Sequence, residues 1–279
     1  MANELAGHVA LVTGGGRGFG KAIAKAFAAA GAAVTITART TRQLDETVAE
    51  IKAAGGKAFA VPGDVTRRKD VERVVSAAHK NFGPTTVLVN NAGLAGPFGP
   101  IGTVDPDAWW DAQAVHVLGP FLFMSHVLPE MIRQRAGRII NIASLGGTRV
   151  EPGLSAYCLG KAAEIRLTEQ VAAEVKAHGI SAFAIEPGTV YTDMAASTVN
   201  DADARRWAPG LVAFLEALKT REDPQVGLAR CAQRCVDLAS GRYDALSGRY
   251  LTPEDDLDSL LASLPPAGAH GQAPQQPGH

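Results

Sequence analysis

Short apolar runs alternate along the chain with longer stretches whose apolar residues recur at helical spacing. Val9-Ala10-Leu11-Val12 is the first run, and a glycine-rich turn follows it. Ile23, Phe27 and Ala30 then share one helical face, closed by Gly31. Val34 to Ala38 reads as a second strand. Leu44, Val48 and Ile51 mark a second helix that stops at Gly55-Gly56. Ala58 to Val61 gives a third strand, Val71, Val74, Val75 and Ala78 a third helix, and Thr86 to Asn90 a fourth strand. Unbroken apolar strands imply a sheet covered on both faces, and the helices between them imply right-handed crossovers. The pattern continues with a long helix over Asp107–Arg133, in which Pro120 and Pro129 mark irregularities. It goes on with a strand at Arg138–Ala143, a helix at Ala156–Lys176 and a strand at Ile180–Glu186. A helix at Pro224–Leu238 and a strand at Gly248–Leu251 complete it. The alternation predicts one doubly wound α/β domain over residues 1–264, with a seven-stranded, mainly parallel sheet flanked by helices.

One long segment departs from this rhythm. Residues 191–223 hold Met194, Trp207, Leu211, Val212, Phe214, Leu215 and Leu218 among polar neighbours. Insertions at the carboxyl edge of such a sheet are often lids, and the apolar stripe points to a hydrophobic or ring-bearing small molecule. An amphipathic helix that covers the core is the other reading of the same stripe. Ala95 to Thr103, with Pro97 and Pro100, is expected to form another wall. From Pro265 to His279, Pro, Gly and Gln take over, as in a disordered tail.

Composition narrows the classes of partner. A net charge of -1 gives no basis for binding nucleic acid or an anionic membrane. Aromatics make up only 6%, which argues against a base-stacking surface. Met1–Gly7 is short and polar for a signal peptide, and no run reaches the roughly 20 apolar residues of a membrane span. Cys158, Cys231 and Cys235 form no disulfide framework, which fits a reducing, cytoplasmic setting. Cys231 and Cys235 lie one helical turn apart and read as core packing, as does Cys158. No metal site is expected.

Thr13-Gly14-Gly15-Gly16-Arg17-Gly18-Phe19-Gly20 joins the first strand to the first helix. Glycines there let backbone N–H groups approach a pyrophosphate, and the helix dipole favours the anion. This is the requirement for dinucleotide binding in a Rossmann-type domain. The G-x-G-x-x-G spacing is absent, because the glycines fall at 14, 18 and 20. Gly15 to Lys21 also matches the start of a triphosphatase phosphate loop. That motif needs a hydroxyl residue next, where this chain has Ala22, and the fourth strand ends in Asn90-Asn91 rather than an aspartate.

Ser144 follows a strand, Tyr157 lies thirteen residues on, and Lys161 is one helical turn further along the same face. A phenol is almost wholly protonated at neutral pH, and a neighbouring ammonium favours its ionised form. Such a tyrosine acts as general acid or base on a carbonyl or alcohol oxygen, which a serine hydroxyl can polarise.

With these residues in hand, the chain resembles the short-chain dehydrogenase/reductase family over roughly Gly7 to Leu251. The family's T-G-x-x-x-G-x-G motif matches Thr13, Gly14, Gly18 and Gly20. N-N-A-G matches Asn90, Asn91, Ala92 and Gly93. The serine and Y-x-x-x-K signature match Ser144, Tyr157 and Lys161, and the P-G motif with its threonine matches Pro187, Gly188 and Thr192. The resemblance implies that Tyr157 exchanges the proton with the substrate oxygen. Lys161 would hold the nicotinamide ribose and lower the Tyr157 pKa, and Ser144 would orient the substrate. It implies cofactor contacts at Gly14, Arg17, Gly18, Phe19 and Gly20, at Asp64 and Val65 beside the adenine, and at Asn91, Ala92 and Gly93. Asn90 would support them, Pro187 and Gly188 belong to the same contacts, and Val190 and Thr192 would meet the nicotinamide carboxamide. A homodimer or homotetramer is implied in the same way.

Two positions depart from or refine that pattern. Where the family places an asparagine in the central helix, to bend it and hold a relay water, this chain has His116. A neutral imidazole offers one donor and one acceptor, and a charge gained near about pH 6.5 would repel Lys161. His116 is therefore a candidate for the relay role, or else a packing residue of the bend. After the second strand, Ala38-Arg39 stands where an acidic residue would select NAD. Arg39, with Arg17, suits a 2′-phosphate, so NADP(H) is the expected cofactor, with NAD(H) also possible. The function implied is hydride transfer between NADP(H) and a small-molecule carbonyl or secondary alcohol. A non-redox lyase, epimerase or dehydratase and a low-turnover cofactor-binding sensor are the other readings.

Overall fold

The computed structural model describes residues 3–221 and 223–265. In its first half, β1 (Val9–Thr13), α1 (Gly18–Ala29), β2 (Ala33–Thr37), α2 (Thr41–Ala53), β3 (Lys57–Ala60), α3 (Arg68–Phe82) and β4 (Val87–Asn90) follow the expected alternation. The second half holds α4 (Pro106–Gln113), α5 (Gly119–Gln134), β5 (Gly137–Ile142), α6 (Ser155–Val175) and β6 (Ile180–Ile185). Three short helices come next, α7 (Asp193–Asn200), α8 (Ala202–Trp207) and α9 (Pro209–Leu218). Then come α10 (Pro224–Ala239), β7 (Tyr250–Leu251) and α11 (Leu257–Ala262).

The strands form one seven-stranded sheet in the order β3-β2-β1-β4-β5-β6-β7. All six pairings are parallel, with Leu11 opposite Thr35 on one side and Leu88 on the other. Alternate residues of β1 feed opposite cores. Ala10 and Val12 pack with Ile23 and Phe27 of α1 and with Cys231, Cys235 and Val236 of α10. Leu11 packs with Val71 and Val74 of α3, Leu122 and Phe123 of α5, and Val171 of α6. This sandwiching is why the strands read as unbroken apolar runs. It also places both thiols of α10 in the core, where burial pushes Cys235 up from the ordinary thiol value.

The central helix is where the sequence pattern and the structure part. Pro120 and Pro129 are both accommodated inside α5 or its first turn. The irregularity instead falls just before them, as a π-helical turn over Ala114–Leu118 that joins α4 to α5 and carries His116. A π turn inserts an extra residue into the helical ladder and turns one side chain out of register. Together α4, this turn and α5 are long and apolar enough to cross a membrane, but Leu122, Phe123, Met124, Val127 and Met131 of α5 are buried within the fold. The short α11 has no counterpart in the sequence pattern, and its Leu257 seals the core beside Leu246 and Leu251. Apart from Pro265 itself, the compositionally biased tail lies outside the described residues.

Phe183 of β6 is fully buried in the core beneath α10. Phe183→Ala should lower the unfolding free energy by about 3–5 kcal/mol, measured by urea denaturation.

Candidate active site

The chain leaves β1 toward one face of the sheet and β4 toward the other, which opens a crevice at their carboxyl ends. The two exits are stitched together there. The Thr13 hydroxyl accepts from the Asn91 and Ala92 backbone N–H groups at 2.9 and 3.1 Å. The Asn91 side-chain amide donates back to the Thr13 carbonyl at 2.9 Å. Asn91 therefore holds the glycine turn in place. Gly20 does not line the crevice. A Cβ there would lie 2.3 Å from the Gly14 carbonyl oxygen and 2.5 Å from the Asn91 amide nitrogen, so only glycine lets α1 start this close to the turn. The result is a low cradle at a helix N-terminus, open to the crevice along Gly14, Gly16, Arg17, Gly18 and Phe19.

One continuous cleft of about 1010 Å³ runs along this edge. At one end are Ala38, Arg39, Asp64, Val65 and Arg67, in the middle Asn91, Ala92 and Gly93, and beyond them Ser144, Tyr157 and Lys161. Pro187, Gly188, Val190 and Thr192 form the opposite bank. This elongated shape, with a glycine cradle midway, fits a dinucleotide. Arg39 is exposed and has no hydrogen-bond or ion-pair partner among the described residues. Arg17 reaches Asp193 at 3.6 Å across solvent. The half-buried Asp64 carboxylate accepts from the Thr66 backbone and hydroxyl at 2.9 and 2.7 Å.

Ser144 caps the short turn after β5, where its hydroxyl accepts from the Gly146 N–H at 3.1 Å, and it lies near enough to Tyr157 to act on the phenol. Lys161 is buried. Its ammonium donates to the Ile142 carbonyl at 2.7 Å and stands 5.9 Å from the Tyr157 ring centre. The His116 ring meets Tyr157 edge to face, with centres 5.7 Å apart. His116 fits there because position 160 is glycine, where a Cβ would come within 2.7 Å of the histidine Cβ. The four residues singled out for chemistry thus converge on one wall of the cleft.

Two carboxylates in this wall were not singled out from the sequence. Glu164 of α6 is 2% exposed, and its oxygens lie 2.9 and 3.1 Å from the Lys161 ammonium and 3.3 Å from His116 Nδ1. It lies one turn beyond Lys161 and two beyond Tyr157 on the same helix face, a spacing visible in the sequence. Glu186, just before Pro187, accepts from the Leu145 N–H and from the Tyr250 hydroxyl. Burial pushes the Glu186 carboxyl above the ordinary range, and burial together with Glu186 pushes the Tyr250 phenol up. The Tyr157 phenol is also raised from its ordinary value. Burial is the largest cause, the Lys161 ammonium and Ser144 hydroxyl pull it back, and Glu164 and Glu186 push with the burial. The expected effect of Lys161 is present but outweighed by burial.

The segment after Thr192 folds over the far bank as α7, α8 and α9. Met194, Ala195, Leu211, Phe214 and Leu215 face the cleft, opposite Leu94, Ala95, Phe98 and Leu154. Cys158 packs at this wall beside the cluster of Phe98, Leu154, Ala204, Ala208 and Val212.

A parallel sheet with a glycine cradle at its switch point and a serine, tyrosine and lysine on one wall defines a dinucleotide-dependent α/β enzyme. The comparisons with known proteins give the family. The short chain dehydrogenase model matches residues 8–203. A short chain dehydrogenase of Pseudocercospora fijiensis is 34% identical over 262 residues, covering 92% of this chain and 84% of that protein. A 3-oxoacyl-(acyl-carrier-protein) reductase of Synechocystis is 38% identical over 191 residues, covering 68% of this chain and 77% of that protein. The crystal structure of levodione reductase superposes with a TM-score of 0.79 at 26% identity, covering 88% of this chain and 96% of that one. The chain belongs to the short-chain dehydrogenase/reductase family and is an NAD(P)-dependent oxidoreductase.

Glu186 supplies a pH-dependent test of the wall. A carboxyl whose folded value is raised above the ordinary 4.5 adds stability below that pH and loses it as pH rises through the folded value. Glu186→Gln keeps a carbonyl oxygen for the Leu145 and Tyr250 donors and removes the buried charge. Its unfolding free energy should therefore gain on the wild type between pH 4.5 and pH 8 in denaturant titrations. An unchanged difference across that range would remove the burial argument.

Proposed function

We propose that the protein transfers hydride between NADP(H) and a small ketone or secondary alcohol with hydrophobic or ring-bearing groups, with Tyr157 as general acid and base. The observation that carries this reading is the convergence of Ser144, Tyr157 and Lys161 on one wall of a cleft that also holds a glycine cradle. When bound, the nicotinamide ring supplies the hydride chemistry. The chain supplies proton transfer and orientation. In reduction, the Tyr157 hydroxyl gives its proton to the substrate oxygen, and in oxidation its phenolate takes one. The Ser144 hydroxyl polarises the same oxygen. The Lys161 ammonium steadies the phenolate that forms.

Charge supports the cofactor preference. Arg39 is exposed at the adenine end with no ion-pair partner among the described residues, and Ala38 offers no side-chain acceptor for ribose hydroxyls. The residues assigned to the cofactor are Gly14, Arg17, Gly18, Phe19, Arg39, Asp64, Val65, Ala92, Gly93, Tyr157, Lys161, Pro187, Gly188, Val190 and Thr192. Asn91 and Gly20 serve it through the shape of the turn. The apolar lid residues Met194, Leu211 and Phe214 support a hydrophobic substrate. Levodione reductase and the 3-oxoacyl-(acyl-carrier-protein) reductase are named for different substrates, so the lid is the place where this chain's own substrate is read. Oligomerisation as a dimer or tetramer and a cytoplasmic location complete the reading.

Tyr157→Phe should cut turnover about 100-fold or more on any ketone that the wild type reduces, in a coupled absorbance assay of NADPH oxidation. Retained turnover would sink the assignment. Arg39→Ala should weaken NADPH binding about tenfold or more and leave NADH binding nearly unchanged, by fluorescence titration. Equal losses for both cofactors would assign Arg39 to the adenine ring instead.

A further inference from the structure

The buried group that the proposed chemistry leaves unused is the Glu164 carboxylate. It sits between two nitrogen-bearing side chains. One oxygen lies 2.9 Å from the Lys161 ammonium, and the other lies 3.1 Å from that ammonium and 3.3 Å from His116 Nδ1. The titratable and charged groups that face it are Lys161 and Tyr157 on its own helix and His116 on the π turn. Glu186 lies beyond Lys161, at the end of β6. Its backbone is fixed as well. The Thr168 hydroxyl donates to the Glu164 carbonyl at 2.7 Å and accepts from the Asn141 amide at 2.8 Å, and Asn141 in turn holds Asn90 at 2.8 Å.

The two nitrogens of His116 have different surroundings. Nδ1 faces only the carboxylate, an acceptor. Nε2 faces both polar groups of Leu94, with the carbonyl at 2.9 Å and the N–H at 3.4 Å. A neutral ring that donates from Nδ1 to Glu164 can accept at Nε2 from the Leu94 N–H. A ring that gains a second proton keeps the Nδ1 bond and donates from Nε2 to the Leu94 carbonyl. In both states the proton on Nδ1 stays, and only the Leu94 side changes.

We propose that Glu164 is a positioning residue of this site. Its carboxylate ties Lys161 to His116, fixes the Nδ1–H tautomer of the histidine, and leaves Nε2 facing the Leu94 backbone. Lys161, Glu164 and His116 are then one unit, and the histidine at position 116 belongs with the glutamate at position 164. The inference rests on Tyr157 and Lys161 being the catalytic pair, and the Tyr157→Phe assay tests that separately.

The test reads the wild-type protein first. In ¹⁵N NMR of the full chain labelled at histidine, with His116 assigned by loss of its signals in His116→Asn, His116 should show a protonated Nδ1 and a bare Nε2 at alkaline pH. Free imidazole side chains prefer the opposite tautomer, so a protonated Nε2 with a bare Nδ1 overturns the proposal. This measurement needs no turnover. Kinetics then reads the coupling. Glu164→Gln should lower kcat about tenfold or more with little change in ketone KM. It should also move the rising limb of the alcohol-oxidation pH profile to lower pH, because the amide removes a negative charge that raises the Tyr157 phenol against the pull of Lys161. Adding His116→Asn to Glu164→Gln should cost little more, since both changes break the same unit. An unmoved limb, or losses that multiply independently, overturns the coupling, while the Tyr157→Phe assay still decides the catalytic pair.

Discussion

A buried ammonium must be answered by nearby oxygens, because an unpaired charge away from water costs several kcal/mol. Lys161 is 5% exposed, and the middle of the molecule is arranged to answer it. The Ile142 carbonyl at the end of β5 takes one hydrogen bond and both oxygens of Glu164 take the rest. Holding Glu164 in turn requires Thr168, and orienting it requires His116. The π turn brings that ring inward, and Gly160 and Gly93 leave it room. Charge, helix register and two missing side chains serve one ion pair.

The same arrangement explains why the Tyr157 phenol is not simply eased toward ionisation. Burial dominates, and the pull of Lys161 on the phenol is opposed by Glu164 and Glu186. The wall is therefore electrostatically balanced, with Glu164 and Glu186 opposing Lys161.

Much of this was legible from residue order. The strands fall within a residue or two of their apolar runs, because a strand buried on both faces has no polar positions to blur its ends. Thr13-Gly14 with Gly18 and Gly20, Asn90 to Gly93, Ser144, and Tyr157 with Lys161 all meet at one sheet edge, as their places after strands require. What sequence reading lacked was tertiary. Pro120 and Pro129 were read as irregularities of the central helix, whereas the break is the π turn before them, at the His116 position where the resemblance implied a bend. Glu164 carried a signal, a lone acid on the face of Tyr157 and Lys161. Its meaning depends on a histidine 48 residues away in the chain. Glu186 carried less, since only the fold brings it to Leu145 and Tyr250. Asn91, expected as a cofactor contact, lines the cleft and also braces the glycine turn, because its amide is committed to Thr13.

The helices over the cleft have apolar clusters of their own. Ala195, Val199 and Leu215 form one, and Ala204, Ala208 and Val212 join Phe98 and Leu154 in another, both distinct from the two cores that clasp the sheet. The family model ends at residue 203, inside this region. A roof with its own small cores can be rebuilt by substitution or insertion without disturbing the beams below. The glycine cradle and the wall of Ser144, Tyr157 and Lys161 are thus insulated from drift in the roof. A lineage can vary the roof while the sheet edge beneath it stays intact.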